Sequence, residues 1–193
     1  MKMKIGIDID DVLFEFITNL MVFYNGKHGT NFKKEDVFSF NLGKVWKKER
    51  KEVNEEVLDF FKSNSFSELR PIIGSQESIS LLSKKNKLAI VTSRPEITKE
   101  QTSSWLEKFY PGSFSKIHFT NHFLEIGQKK SKADICLENG YDVLIEDNKD
   151  YALECAEKGI KVFLFNRPWN KDFTTHENIT PVDSWEEIII KLK

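Results

Sequence analysis

The chain has 193 residues, 39% hydrophobic and 31% charged, with a net charge of −1. That length suits one domain with a true core, or a core carrying a small insert. Its balanced charge offers no field for polymeric nucleic acid or an anionic membrane, and no apolar run approaches the roughly 20 residues of a membrane span. A strand pattern begins almost at residue 1, which leaves no room for a secretory leader. Cys136 and Cys155 lack CxxC spacing and fall in amphipathic patterns, so they read as reduced core residues of a cytoplasmic protein.

Met3 to Ile9 predicts a buried strand, because closely spaced isoleucines around one glycine suit the interior of a parallel sheet. That strand delivers Asp8, Asp10 and Asp11 within four residues. Ionised carboxylates repel at close range, so a fold that gathers them needs a cation or a shared proton. Phe14, Ile17, Leu20, Met21 and Tyr24 then recur at helical spacing, predicting a helix that ends near Asn25-Gly26. Asn31 to Phe40 is irregular and aromatic. Lys44 to Lys62 reads as one or two short helices. Residues 14–69 are therefore expected to form a helical insert, with the catalytic core made of 1–13 and 70–193.

From Arg70-Pro71 onward the pattern becomes α/β. Ser75 is the expected N-cap of a helix carrying Ile79, Leu81 and Leu82, and Lys87–Val91 is the next strand. Thr98 and Gln101 predict a capping box for the helix of Trp105, Leu106 and Phe109, which Pro111-Gly112 stops. Lys116–Thr120 is a third strand. Ser131 caps a helix carrying Ile135, Cys136 and Leu137 that ends at Asn139-Gly140. Asp142–Ile145 is a fourth strand, running into Glu146-Asp147. A helix from Asp150 to Lys158, a fifth strand at Val162–Phe165 and a last helix opened by Asp183-Ser184 complete the chain. Such alternation predicts a Rossmann-like, doubly wound parallel sheet, in which ligands bind beyond the carboxyl ends of the strands. Three of these strands end in reactive polar residues: Asp8/Asp10, Thr92/Ser93 and Glu146/Asp147.

Asp8 and Asp147 are hard oxygen donors suited to Mg²⁺. A zinc site is disfavoured: His118 and His122 do not share a helical face, and His28 and His176 have no partner motif. One carboxylate can attack phosphorus while a second, two residues on, protonates the leaving alkoxide and later activates water. Asp8 and Asp10 have that spacing. Thr92 and Ser93 supply donors to phosphoryl oxygens, and a lysine must balance the remaining charge. Of Lys129, Lys130 and Lys132, Lys132 is preferred because it falls in the first turn of its helix.

Asp8-x-Asp10-x-Val12-Leu13, Thr92 after the second strand, a lysine before the fourth and Glu146-Asp147 after it together resemble the haloacid dehalogenase superfamily. The resemblance implies a phosphatase with Asp8 as nucleophile and Asp10 as acid/base that also lends its carbonyl to Mg²⁺. It further implies Asp147 as a metal ligand with Glu146 close by, and Thr92 and Lys132 on the phosphate. The run Asp8–Phe16 and the segment Phe66-x-Glu68-Leu69-x-Pro71-x-x-Gly74 are similar to the 5′(3′)-deoxyribonucleotidases. There, aromatic residues of a small helical cap stack on the base of a nucleoside monophosphate. Phe16, Phe38, Phe40 and Trp46 are the candidates here, each also suited to the insert's own core. Asp11 stands where that family usually has Gly, Arg94-Pro95 follows Thr92-Ser93, and Glu146-Asp147 replaces a frequent pair of aspartates. The expected substrate is a small phosphate ester, a nucleoside 5′-monophosphate first, with a sugar phosphate or phosphoglycolate as the alternative. A non-catalytic phospho-ligand-binding role ranks last.

Overall fold

The computed structural model describes residues 2–121 and 130–192. At its centre is a parallel sheet of six strands: β1 (Lys4–Ile7), β2 (Lys87–Thr92), β3 (Ile117–Phe119), β4 (Val143–Glu146), β5 (Lys161–Phe165) and β6 (Ile179–Val182). Their order is β3-β2-β1-β4-β5-β6, so the winding reverses between β1 and β4. Connections after β1 lead to one side and connections after β4 to the other. The crevice opened at such a reversal is where a doubly wound sheet binds ligands. Asp8, Thr92 and Glu146 close the three strands that flank it.

Alternation along the strands divides the core into two layers. Ile5, Ile7, Leu88, Ile90, Val143 and Ile145 face one side, together with α5 (Ser75–Lys85), α6 (Lys99–Phe109) and α9 (Trp185–Lys191). Ala89, Val91, Leu144, Val162 and Leu164 face the other, under α7 (Lys132–Asn139) and α8 (Lys149–Glu157). Gly6 belongs to this second face. A Cβ there would lie 3.1 Å from Val91 and 3.3 Å from Leu144, so the residue must be small for α7 to approach.

Between β1 and α5 the chain is helical: α1 (Phe16–His28), α2 (Leu42–Trp46), α3 (Arg50–Lys62) and α4 (Asn64–Ser67). Its apolar residues, among them Phe16, Leu20, Val57, Phe60 and Phe66, are continuous with the first sheet layer. Helix α1 runs through Gly26 and stops at Gly29, which takes the left-handed conformation (φ 65°). Asn25, expected near the helix end, instead anchors the following loop by accepting from Phe32 N at 2.9 Å and donating to Phe32 O at 2.8 Å.

Several other expectations need correction. Strand β6 went unpredicted because Thr180-Pro181 interrupts the apolar pattern; a proline is tolerated there because the strand lies at the sheet edge. Ser75 is not an N-cap. Gly74 occupies that position at φ 80°, and the Ser75 hydroxyl bonds to Ile72 O and Tyr110 OH. Thr98 likewise donates to Pro95 O at 2.8 Å and forms no capping box. Leu81 and Leu137, expected on buried faces, are exposed. Ser131 and Ser184 do cap their helices, accepting from Asp134 N and Glu187 N.

One ion cluster ties the insert together. Glu56 on α3 accepts from Lys27 Nζ at 2.9 Å and Lys48 Nζ at 3.0 Å, and His28 Nε2 lies 2.8 Å away. Burial works to raise the Glu56 carboxyl, but these three partners outweigh it and hold it at about 2, against an ordinary 4.5. A depressed carboxyl contributes stability that is full above its unfolded value and fades as pH falls toward its folded one. Glu56→Gln should therefore destabilise the chain at pH 7 by about 1–3 kcal/mol, the lower part of that range being favoured because Lys27 is part-exposed. Urea unfolding of both proteins at pH 7 and pH 3.5 checks this. The gap between them should narrow at the lower pH.

Candidate active site

The site is built from the turn after β1. Asp8 N donates to Ile145 O at 3.0 Å, holding the backbone beside β4 for one residue past the strand. The chain then reverses, with Leu13 N returning to Ile9 O at 2.8 Å. Asp11 makes the reversal possible at φ 55°, a conformation natural to glycine and tolerated by aspartate. Two anchors hold it there. Its Oδ2 accepts from Ile17 N at 3.0 Å, and its carbonyl accepts from Arg167 Nη2 at 2.6 Å. Burial pushes its carboxyl up to about 7, opposed by Lys34 and by the Ile17 N–H.

Lys132 enters from the first turn of α7, positioned by the Ser131 cap. Its ammonium is wholly buried, donating to Glu146 Oε2 at 2.7 Å, and it lies 2.9 Å from Asp8 Oδ1 in an ion-pair contact outside hydrogen-bond geometry. Burial alone would lower this lysine, but Asp8 and Glu146 hold it well above its usual range. Glu146 Oε1 accepts from Asp147 N and Asn148 N, so both oxygens of Glu146 are engaged by this chain.

Asp8 and Asp147 are different. Among the described residues, Asp147 Oδ1 is buried without a hydrogen-bond donor, and Asp8 Oδ1 is buried with only the Lys132 ion pair. Burial raises the Asp8 carboxyl to about 7, with Lys132 opposing and Glu146 and Asp10 adding to the rise. Asp147 is raised well above the carboxylate range by burial, Glu146, Asp11 and Asp8. Ligand oxygens of Asp8, Glu146 and Asp147 all lie within 4.8 Å of one another. An all-oxygen set with unsatisfied carboxylate atoms fits a hard divalent cation such as Mg²⁺, whose charge would relieve the repulsion.

The end of β2 brings the remaining groups. Thr92 is buried, and its hydroxyl accepts from Arg94 N at 3.3 Å. Ser93 is buried at the same strand end, and the Tyr151 ring lies 4.9 Å from the Lys132 ammonium. Arg94 is almost fully buried. It donates to Asp10 from Nη2 at 2.8 Å and from Nε at 3.0 and 3.2 Å, and to Thr102 at 2.9 Å. Phe14, Phe61 and Phe66 surround its guanidinium at 5.0–5.3 Å.

A cleft of about 360 Å³ lies between the insert and the strand ends, bounded by Phe40, Asn41, Arg50, Asn54, Ser93 and Tyr151 among others. Phe40 and the exposed Phe38 also border a neighbouring recess that contains Trp169 and Asp172. Phe16 and Trp46 sit elsewhere: Phe16 packs against Phe60 and Phe61, and Trp46 stacks on Tyr24 at 4.0 Å. Of the lysines, exposed Lys130 pairs with Glu138, while Lys129 and His122 lie outside the described residues. His118 is half-buried against Tyr141 OH at 2.9 Å, and His28 and His176 serve structural contacts with Glu56 and Asn178.

Sequence reasoning missed Tyr151 and Trp169. Trp169 Nε1 donates to Asp147 Oδ2 at 2.8 Å. The signal was available, since Arg167-Pro168-Trp169-Asn170 follows β5 at the edge where the other strands deliver their polar residues.

Residues 2–193 match the family described as 5′ nucleotidase, deoxy (pyrimidine), cytosolic type C protein. The 5′(3′)-deoxyribonucleotidase of Bacillus subtilis is 28% identical over 195 residues, covering 100% of this chain and 99% of that one. A haloacid dehalogenase-like hydrolase from Streptococcus pneumoniae has a similar fold, with TM-score 0.71 at 14% identity over 100% of this chain and 99% of that one. A haloacid dehalogenase superfamily hydrolase of Bacillus subtilis solved with bound magnesium superposes with TM-score 0.64 at 14% identity, covering 99% and 98%. The fold is the one those haloacid dehalogenase-type hydrolases share, and with a match along nearly its whole length this chain belongs to the cytosolic type C 5′-nucleotidase family and is a phosphoric monoester hydrolase.

Proposed function

We propose that the chain dephosphorylates nucleoside 5′-monophosphates through a phosphorylated Asp8, with Mg²⁺ as cofactor, in the cytoplasm. The observation that carries this reading is the buried group of Asp8, Lys132, Glu146 and Asp147, in which Lys132 pairs with Asp8 and Glu146 and Asp147 Oδ1 has no donor among the described residues. Asp8, Asp147 and the carbonyl of Asp10 would hold Mg²⁺, which supplies charge to shield the nucleophile from the incoming phosphate.

An Asp8 oxygen attacks phosphorus, and the bond from phosphorus to the ester oxygen breaks. Asp10 gives its proton to the departing alkoxide, then takes one from water. That water attacks the phosphorus on Asp8, the bond to Asp8 breaks, and inorganic phosphate leaves. Lys132, Thr92 and Ser93 bind the phosphoryl oxygens and favour the charge they gain in the transition state. Arg94 orients Asp10 by contacting both oxygens, Nη2 on Oδ1 and Nε on Oδ2. Residues 14–69 act as a cap over the strand ends, excluding water while Asp8 is phosphorylated. The two buried free cysteines suit a reducing compartment.

The leaving group would occupy the cleft beside Phe40, where a base can lie against the ring. The same wall carries Asn41, Arg50 and Asn54, and this polarity supports sugar phosphates or phosphoglycolate as a second reading.

Phosphate release from ribo- and deoxyribonucleoside monophosphates, sugar phosphates and phosphoglycolate, with Mg²⁺ or with chelator, tests both. Turnover should require Mg²⁺, favour nucleotides and vanish in Asp8→Asn. Turnover retained by clean Asp8→Asn protein would sink the mechanism. A preference for sugar phosphates would discard the nucleotide alone. Lys132→Met leaves Asp8 and Glu146 buried without their counter-charge, a change that usually costs about 3–5 kcal/mol. Its urea midpoint should fall accordingly, and Mg²⁺ at saturation should recover part of the loss.

A further inference from the structure

Asp147 has two carboxylate oxygens in different circumstances. Oδ1 is buried and has no donor among the described residues, and Asp147 forms with Asp8 and Glu146 a group whose ligand oxygens lie within 4.8 Å of one another. Oδ2 accepts the indole N–H of Trp169 at 2.8 Å. A carboxylate turns readily about its last side-chain bond, so an oxygen held by a directed donor decides where the other one points. Here the indole holds one oxygen, and the free one is left to the cation site.

The turn that carries Trp169 is itself anchored to Asp147. Asn170 Nδ2 donates both to Asp147 O at 2.7 Å and to Phe165 O at 2.8 Å, while Asn170 Oδ1 accepts from Arg167 N at 3.0 Å. The Trp169 ring is 3% exposed, with the edge of Phe40 against it at 6.0 Å and the Lys34 ammonium 6.0 Å from its centre. Both backbone and ring are therefore fixed with respect to the carboxylate. The other tryptophans differ in their partners. Trp105 and Trp185 donate to the carbonyls of Leu69 and Val12, and Trp46 Nε1 has no partner. Of the four tryptophans, Trp169 is the one whose N–H acceptor is a carboxylate.

We infer that Trp169 is a positioning residue for the divalent cation: its indole N–H fixes the Asp147 carboxylate with Oδ1 toward the site and thereby sets cation affinity. This rests on the reading that Asp147 is a metal ligand. Partners that orient a ligating group typically contribute about 10- to 100-fold in metal affinity.

The test is calorimetric titration of Mg²⁺ into the full chain, without substrate. Trp169→Phe keeps most of the ring and removes the N–H, and it should weaken Mg²⁺ binding by about 10- to 100-fold. Trp105→Phe removes a similarly buried N–H from a backbone carbonyl and should leave the affinity unchanged. Equal affinity in wild type and Trp169→Phe overturns the inference. So does equal weakening by both tryptophan variants, which would mark a general loss of packing. Asp147→Asn separates this result from the underlying reading: if it binds Mg²⁺ as wild type does, or if wild type binds none, the ligand assignment itself fails. Should Trp169→Phe not fold, indole N–H resonances of ¹⁵N-labelled wild type supply the answer. Saturating Mg²⁺ should shift the Trp169 resonance more than those of Trp46, Trp105 and Trp185. An unmoved Trp169 resonance under saturating Mg²⁺ overturns the inference equally.

Discussion

The buried ammonium of Lys132 is the constraint around which the rest of the molecule is arranged. Removing an ion of this kind from water costs several kcal/mol even after relaxation, so it is tolerable only with close counter-charges. Asp8 and Glu146 supply them at 2.9 and 2.7 Å, from the ends of two adjacent strands. For the lysine to reach that point, α7 must lie close on the sheet. The small residues of that layer make the approach possible: Gly6 and Ala89 on the strands, Ala133 and Cys136 on α7, Ala152, Cys155 and Ala156 on α8. Strand order, helix approach and charge balance thus depend on one another.

The same cluster explains why the carboxylates are arranged unequally. Glu146 is fully occupied by Lys132 and two backbone N–H groups, and so it serves as a fixed counter-ion within the chain. Asp8 and Asp147 keep oxygens without donors. Two buried carboxyls raised well above their ordinary range cannot both be comfortable as anions, and a divalent cation is the group that would make them so.

Much of this was legible in the sequence because strand ends are where apolar runs stop, and polar residues at those stops are conspicuous. Lys132 was separable from Lys129 and Lys130 because Ser131 marks a helix start, which gives the next residue a direction that a run of lysines lacks. Hydroxyl caps were less legible. Ser75, Thr98 and Ser131 look alike in sequence, yet the first two turn back to carbonyls three residues earlier, Ile72 O and Pro95 O, and Ser75 also meets Tyr110 OH. Pro181 concealed β6, since only position in the sheet decides whether a missing N–H matters. Trp169 was overlooked for the opposite reason: its place after β5 marks the site edge, but an aromatic residue there reads as packing rather than as a donor to a carboxylate.

Arg94 shows how the helical insert and the chemistry share a single charge. Its guanidinium is surrounded by Phe14, Phe61 and Phe66 and satisfied by Asp10 and Thr102, so the insert, the turn after β1 and α6 all contribute to one buried cation. A network of this sort is stable only when every member is in place, because each group left unpaired in a low-dielectric setting is costly. The aromatic residues of the insert are committed to this seam and to its own interior, with Phe16 on Phe60 and Trp46 on Tyr24. Phe38 and Phe40 reach the open recesses. On the proposed reading, stacking would draw on few rings, and discrimination among esters would lean on the polar wall formed by Asn41, Arg50 and Asn54. The residues that make the insert hold its place are not those that can read the substrate, so the two properties can change independently in this fold.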